Sequence, residues 1–267
     1  MTPLEDLLQQ CTVKITVPGA WEKERGTGFF VAPGLILTCA HVVRKSADLQ
    51  VTVSYPGCQQ PLSAIVKAKA DDGKTLDLAL VELSEPSFDH PCVLLDDEPV
   101  AIGQTLYSYG YLKSYTNAAP VRPVNEGLTG DTPPLLKLQG AQIEKGISGA
   151  ALLDLKTGKV CGMVKETRAA EFDLGGGAIP THVILEQFPE LRELQREFHE
   201  GDRRWVNLTM IPQGQREPEL LSWLESALGP GLEALRLSLS KTLNPRQPLQ
   251  TSRPAWRGNS GIMAYLK

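Results

Sequence analysis

The sequence predicts an all-β chain: two small antiparallel barrels of six strands each, followed by a helix and a partly helical extension. Three observations carry that prediction. Short apolar segments recur at 12–17, 27–31, 35–38, 49–55, 62–68 and 77–83, separated by clusters of Gly, Pro, Asp and Lys, as a small barrel requires. A second series follows near 104–109, 121–126, 134–140, 150–154, 160–166 and 177–179, after a polar connection from Ser84-Glu85-Pro86 to Asp96-Asp97-Glu98-Pro99. Val183, Ile184, Phe188, Leu191, Leu194 and Phe198 then keep close to helical spacing over 183–200. With 267 residues, 42% of them hydrophobic, the chain can bury a full core.

Taken from the N-terminus, residues 1–12 hold two acids and no seven-residue apolar core, so no secretory signal is expected there. No run reaches 18 apolar residues, so no membrane span is expected either, and the setting predicted is cytoplasmic. Cysteines stand at 11, 39, 58, 92 and 161 without Cys-x-x-Cys or metal-ligand spacing, which reads as free thiols, with no metal and no cofactor expected. A net charge of −4 argues against nucleic acid as a partner, since phosphate binding wants a basic face. The cluster Arg192, Arg196, Arg203 and Arg204 is interleaved with Glu193, Glu197, Glu200 and Asp202 and reads as a solvated face.

Within the first series, residues 26–43 (GTGFFVAPGLILTCAHVV) place His41 just past an apolar strand, in the setting of a general base. Asp77 lies in Leu-Asp-Leu-Ala-Leu-Val-Glu-Leu, and Ser148 in Lys-Gly-Ile-Ser-Gly-Ala-Ala-Leu-Leu-Asp. A serine hydroxyl attacks a carbonyl at neutral pH only if an imidazole takes its proton, and a carboxylate must hold that imidazole in the right tautomer. His90, beside Pro91, and His199, in a charged stretch, read as structural. The order His41, Asp77, Ser148 and the three local contexts resemble the trypsin/chymotrypsin family of serine peptidases. The resemblance implies a chymotrypsin-like pair of barrels, a catalytic triad in the cleft between them, and an oxyanion hole formed by the N–H groups of Gly146 and Ser148.

Two departures narrow the placement. Ile147 stands where zymogen-activated relatives carry an acid, so activation by N-terminal clipping is not expected. The region is more similar to the HtrA-like branch and to the trypsin-like effector modules of bacterial multidomain signalling and defence proteins. A hairpin around Lys156-Thr157-Gly158 and the run Gly175-Gly176-Gly177-Ala178-Ile179-Pro180-Thr181 agree with it, with the helix expected at 183–199. In this family the pocket floor lies six positions before the nucleophile, at Gln142, a neutral amide. Cutting after Arg or Lys is therefore not implied. Ile143, Val164, Lys165 and Glu166 complete the pocket that the resemblance implies.

The peptidase unit is expected over 1–200, with its barrels at about 10–85 and 100–182. In the remainder, Leu220, Leu221, Leu224 and Leu228 share a helical face before Gly229-Pro230-Gly231 interrupts it. The resulting expectation is a cytosolic serine endopeptidase acting on a protein or peptide substrate. A regulatory partner or neighbouring domain would act through 201–267. Because Ile147 cannot make an ion pair and Lys145-Gly146 is intrinsically pliant, the oxyanion loop is expected to need that partner for order. The alternative is a catalytically silent pseudopeptidase that binds proteins in the same cleft.

Overall fold

The computed structural model describes residues 2–18, 25–72, 75–85, 90–140, 145–167, 175–200 and 202–206, with 166 and 167 described by backbone alone. The chain opens with a helix that the sequence reading did not anticipate, α1 (Pro3–Cys11). Its start is a capping box: Thr2 Oγ1 accepts from the Glu5 backbone N–H, Glu5 Oε2 accepts from the Thr2 N–H at 2.8 Å, and Pro3 occupies the first turn, where its missing N–H costs nothing.

Six strands follow: β1 (Thr12–Thr16), β2 (Arg25–Ala32), β3 (Leu35–Thr38), β4 (Gln50–Ser54), β5 (Leu62–Asp71) and β6 (Asp77–Leu83). They close into an antiparallel barrel in the order β1-β2-β3-β6-β5-β4. The alternation of β5 explains its seat: Ala64 and Val66 are buried and Ile65 and Lys67 face out, the period-two pattern of a strand with one solvated face. The strands β3 and β6, by contrast, bury nearly every residue. A short 3-10 turn, Ala40–Val43, leaves β3 and carries His41.

The second series yields β7 (Tyr107–Gly110), β8 (Ala119–Val121), β9 (Val124–Leu128), β10 (Leu136–Gln139), β11 (Ala151–Asp154), β12 (Lys159–Thr167) and β13 (Gly176–Pro180). They form a seven-stranded sheet, β8-β7-β11-β12-β13-β10-β9, where six strands were expected. The segment anticipated at 121–126 divides at Arg122-Pro123, so that β8 pairs with β7 while β9 pairs with β10. The sheet then curls back on itself. Leu106 N–H donates to Pro123 O at 2.8 Å and Asn125 N–H to Gln104 O at 3.0 Å, which ties β9 to the chain entering β7.

The single helix expected over 183–199 is two, α2 (Thr181–Gln187) and α3 (Glu190–Phe198). Pro189 supplies the reason. A residue before proline is pushed off helical geometry, and Phe188 sits at φ −129°, ψ 70°. Asp202–Val206 pack back on the body, with Trp205 2% exposed. The helical stretch expected near 217–228 lies outside the described residues, as does the rest of the tail.

Candidate active site

The register between β3 and β6 pairs Thr38 with Ala79, which sets Asp77 at the start of β6 close to the turn that follows β3. His41 comes back over it. One carboxylate takes two hydrogen bonds from one residue: Oδ1 accepts from the His41 backbone N–H at 2.8 Å and Oδ2 faces ring Nδ1 at 2.5 Å. Burial of Asp77 works against its charge, but the bonds from the His41 ring and backbone, with the charges of His41 and Lys165, hold its carboxyl below the usual range. Asp77 therefore stays an anion and accepts the Nδ1 proton. Nε2 is then the nitrogen with a lone pair to offer. The His41 side chain is 40% exposed against 8% for Asp77, so the ring is open to an incoming group while its carboxylate is not.

Ser148 lies in a turn whose carbonyls are claimed one after another. Lys145 O accepts from Lys113 N–H at 2.8 Å, Gly146 O from the Thr27 hydroxyl at 2.8 Å, Ile147 O from Ala150 N–H at 2.8 Å and Ser148 O from Thr27 N–H at 3.1 Å. In a trans peptide the N–H points opposite to the preceding carbonyl. With Lys145 O and Ile147 O both turned inward, the N–H groups of Gly146 and Ser148 point away from these anchors, and among the described residues neither meets an acceptor. Two such N–H groups, two residues apart, are what an oxyanion would require. Gly146 reaches this shape at φ +98°, with Tyr111 O 2.2 Å from where a Cβ would stand, so no other residue fits.

Ile147, the residue before Ser148, is fully buried in the second core with Leu106, Leu112, Leu138, Leu152 and Val164, an apolar anchor for the turn. The two halves of the site are also tied together. Thr38 Oγ1 donates to Thr27 O at 2.7 Å, and Val164 O accepts both from Gly149 N–H at 2.8 Å and from Cys39 Sγ at 3.3 Å. Cys39, two positions before His41, therefore shares the acceptor Val164 O with Gly149, and Thr38, three before, is linked through Thr27 to Ser148 O.

Of the residues expected around the substrate, Gln142 and Ile143 lie outside the described residues, as does the side chain of Glu166. Val164 has no exposed surface and Lys165 is buried. The ladder between β12 and β13 slips between Val164 and Glu166, leaving Lys165 at a bulge, where its charge acts on Asp77 and on Cys39. Sequence reasoning missed Thr27, Lys113 and Cys39. Only Thr27 left a signal, a lone hydroxyl between Gly26 and Gly28.

Cys39, His41 and Asp77 bring ligand atoms within 4.8 Å of one another, the one such group of metal-binding type found among the described residues. Burial drives the Cys39 thiol well above its ordinary range, so it stays protonated, and a thiol must lose its proton to ligate. His41 and Asp77 are already bonded to each other.

A sequence model of the trypsin-like peptidase domain matches residues 26–163. The serine protease Rv3671c of Mycobacterium tuberculosis is 28% identical over 162 residues, which are 57% of this chain and 38% of that protein; the chain thus spans well under half the length of the curated relative. The crystal structure of the Rv3671c protease in its active form aligns with a TM-score of 0.59 at 24% identity, covering 71% of this chain and 84% of that one. The serine endoprotease from Yersinia pestis aligns with a TM-score of 0.59 at 20% identity, over 72% and 66%. These two likenesses establish the chymotrypsin-like fold.

Proposed function

The chain belongs to the trypsin-like peptidase domain family, and we propose that it is a serine endopeptidase that cuts peptide bonds through an acyl-enzyme. The observation that carries this reading is the His41–Asp77 pair, with both carboxylate oxygens spent on His41. Such a pair fixes the tautomer and steadies the imidazolium that forms when Nε2 takes a proton. Ser148 Oγ supplies that proton as it attacks the scissile carbonyl. The new oxyanion is met by the N–H groups of Gly146 and Ser148, oriented before the substrate arrives. Imidazolium Nε2–H then protonates the leaving amine, and a water attacks the acyl-enzyme by the same route in reverse.

The finer parts of the proposal are a cytoplasmic setting and activation by a partner or neighbouring domain through 201–267, in a bacterial signalling or defence system. Free, mostly buried thiols at all five cysteines are in keeping with a reducing compartment. With the oxyanion loop anchored by Ile147, a partner would act on substrate access rather than on the loop's order. The test is a fluorophosphonate probe on the full chain, with the labelled residue located by mass spectrometry. Adduct on Ser148, absent from Ser148→Ala and His41→Ala, is the expected result. No adduct on the wild type overturns the reading and leaves the pseudopeptidase.

A further inference from the structure

Resting on the peptidase reading, we propose that Thr27 is a positioning residue for the oxyanion hole: one buried hydroxyl in the first barrel fixes the orientation of the Gly146–Ser148 turn in the second. Thr27 lies on β2, is fully buried, and uses its hydroxyl and its N–H across the gap between the barrels. Its Oγ1 donates to Gly146 O at 2.8 Å and accepts from Tyr111 N–H at 2.9 Å. Its N–H donates to Ser148 O at 3.1 Å, and its carbonyl accepts from Thr38 Oγ1 at 2.7 Å.

The hydroxyl holds both sides of the loop. Tyr111 O stands 2.2 Å from the place of a Gly146 Cβ, and Lys113 N–H, two residues on, pins Lys145 O at 2.8 Å. That second bond fixes the peptide whose N–H is the Gly146 donor. Arg25, also on β2, grips the same stretch by donating Nη2 to Leu112 O, Lys113 O and Tyr115 O at 3.0–3.1 Å. Loss of the Thr27 hydroxyl frees Gly146 O and Tyr111 N–H together, beside a side chain that is itself fully buried. A polar group left unpaired favours a rotation that finds it a partner; the peptide that carries Gly146 O is 146–147, and its rotation changes ψ at Gly146 and re-aims the turn that bears both donors. The backbone bond from Thr27 to Ser148 O survives any substitution, so the nucleophile stays in place. The deficit is confined to oxyanion stabilisation.

The full chain carrying Thr27→Val keeps the shape and loses the hydroxyl; Thr27→Ser keeps the hydroxyl and loses the methyl. The second-order rate of Ser148 labelling by a fluorophosphonate, whose phosphoryl oxygen occupies the oxyanion site, reads the hole directly. Labelling of Thr27→Val is expected to fall about 10- to 100-fold, against the 10²–10³ recorded for losing a whole donor. Thr27→Ser should stay within about threefold of wild type, an estimate that follows from its keeping the hydrogen bonds. On a peptide substrate the loss should appear in kcat with KM little changed, because the interaction is made in the transition state. Wild type labelled and Thr27→Val labelled equally fast overturns this inference alone, as does an equal loss in Val and Ser, which would make the effect one of packing. A wild type that is not labelled overturns the peptidase reading and this inference with it. Should Thr27→Val not fold, Thr27→Ala against Thr27→Ser is decided by the same two ratios.

Discussion

Asp77 serves the ring and the backbone of His41 at once, so its replacement has separable effects. Asp77→Asn keeps the shape but offers an amide where Nδ1–H needs an acceptor, and the wrong tautomer follows; kcat should fall by about 10⁴. A loss under tenfold in steady-state kinetics would remove Asp77 from the role. Because the folded carboxyl lies below its ordinary range, its charge stabilises the fold above the unfolded value of about 3.9 and loses that effect as pH falls through the folded value. The melting-temperature gap between wild type and Asp77→Asn should therefore narrow on acidification below about pH 4; a gap that widens there contradicts the direction. The contact of His41 with Asp77 joins two residues that the sequence singled out by local contexts the chemistry demands, as it did Ser148. Thr27 was not legible there, since its partners Gly146 and Tyr111 lie 119 and 84 positions away and only the folded barrels bring them together.

At the scale of elements the strands of the first barrel were legible from their spacing, and α1 was not. Its Thr2-Pro3-Leu4-Glu5 start is a capping signature, but nine residues make a marginal helix unless a surface receives it. That surface is the second sheet. Glu5, almost wholly buried, pairs with Arg122, whose guanidinium lies over the Tyr107 ring at 5.1 Å to the centroid, and Gln9 Nε2 donates to Tyr107 Oη at 2.9 Å. Arg122 falls between β8 and β9, so the division of that segment, also missed from sequence, creates the socket for α1. Arg122→Ala leaves a buried carboxylate with its capping partner alone. The variant should lose about 1–2 kcal/mol, the Arg side chain being half-exposed, and its unfolding midpoint in urea should drop accordingly. The capping change Thr2→Ala should cost about 1 kcal/mol. If neither moves the midpoint, α1 is not a working part of the fold.

At the scale of the whole molecule, two seams between the barrels among the described residues differ in what they touch. The first runs through Thr27, Thr38 and Val164 beside the triad. The second is made by α3 and the residues after it. Gln195 accepts from Leu95 N–H at 2.8 Å and donates to Val93 O at 3.0 Å and to Val31 O, so one side chain fastens the inter-barrel connection to β2. His199 Nε2 lies 3.0 Å from Val93 O, and Trp205 Nε1 donates to Cys92 O at 3.1 Å. Every partner here is a backbone group of the connection or of β2, and none is among the triad or the proposed oxyanion donors. Gln195→Leu strands Leu95 N–H and Val31 O, with Val93 O left to His199, at about 1–3 kcal/mol apiece, not fully additive. Trp205→Ala opens a cavity worth about 3–5 kcal/mol. Both variants should melt roughly 10 °C lower, at about 2–4 °C per kcal/mol for a body of this size. Well below those midpoints, however, the rate of Ser148 labelling should stay within about threefold of wild type, since the oxyanion donors are set at the other seam. Labelling that falls as far in Gln195→Leu as in Thr27→Val, with the protein still folded by circular dichroism, would mean that the barrels couple as one unit and that the division into a catalytic and a structural seam is wrong.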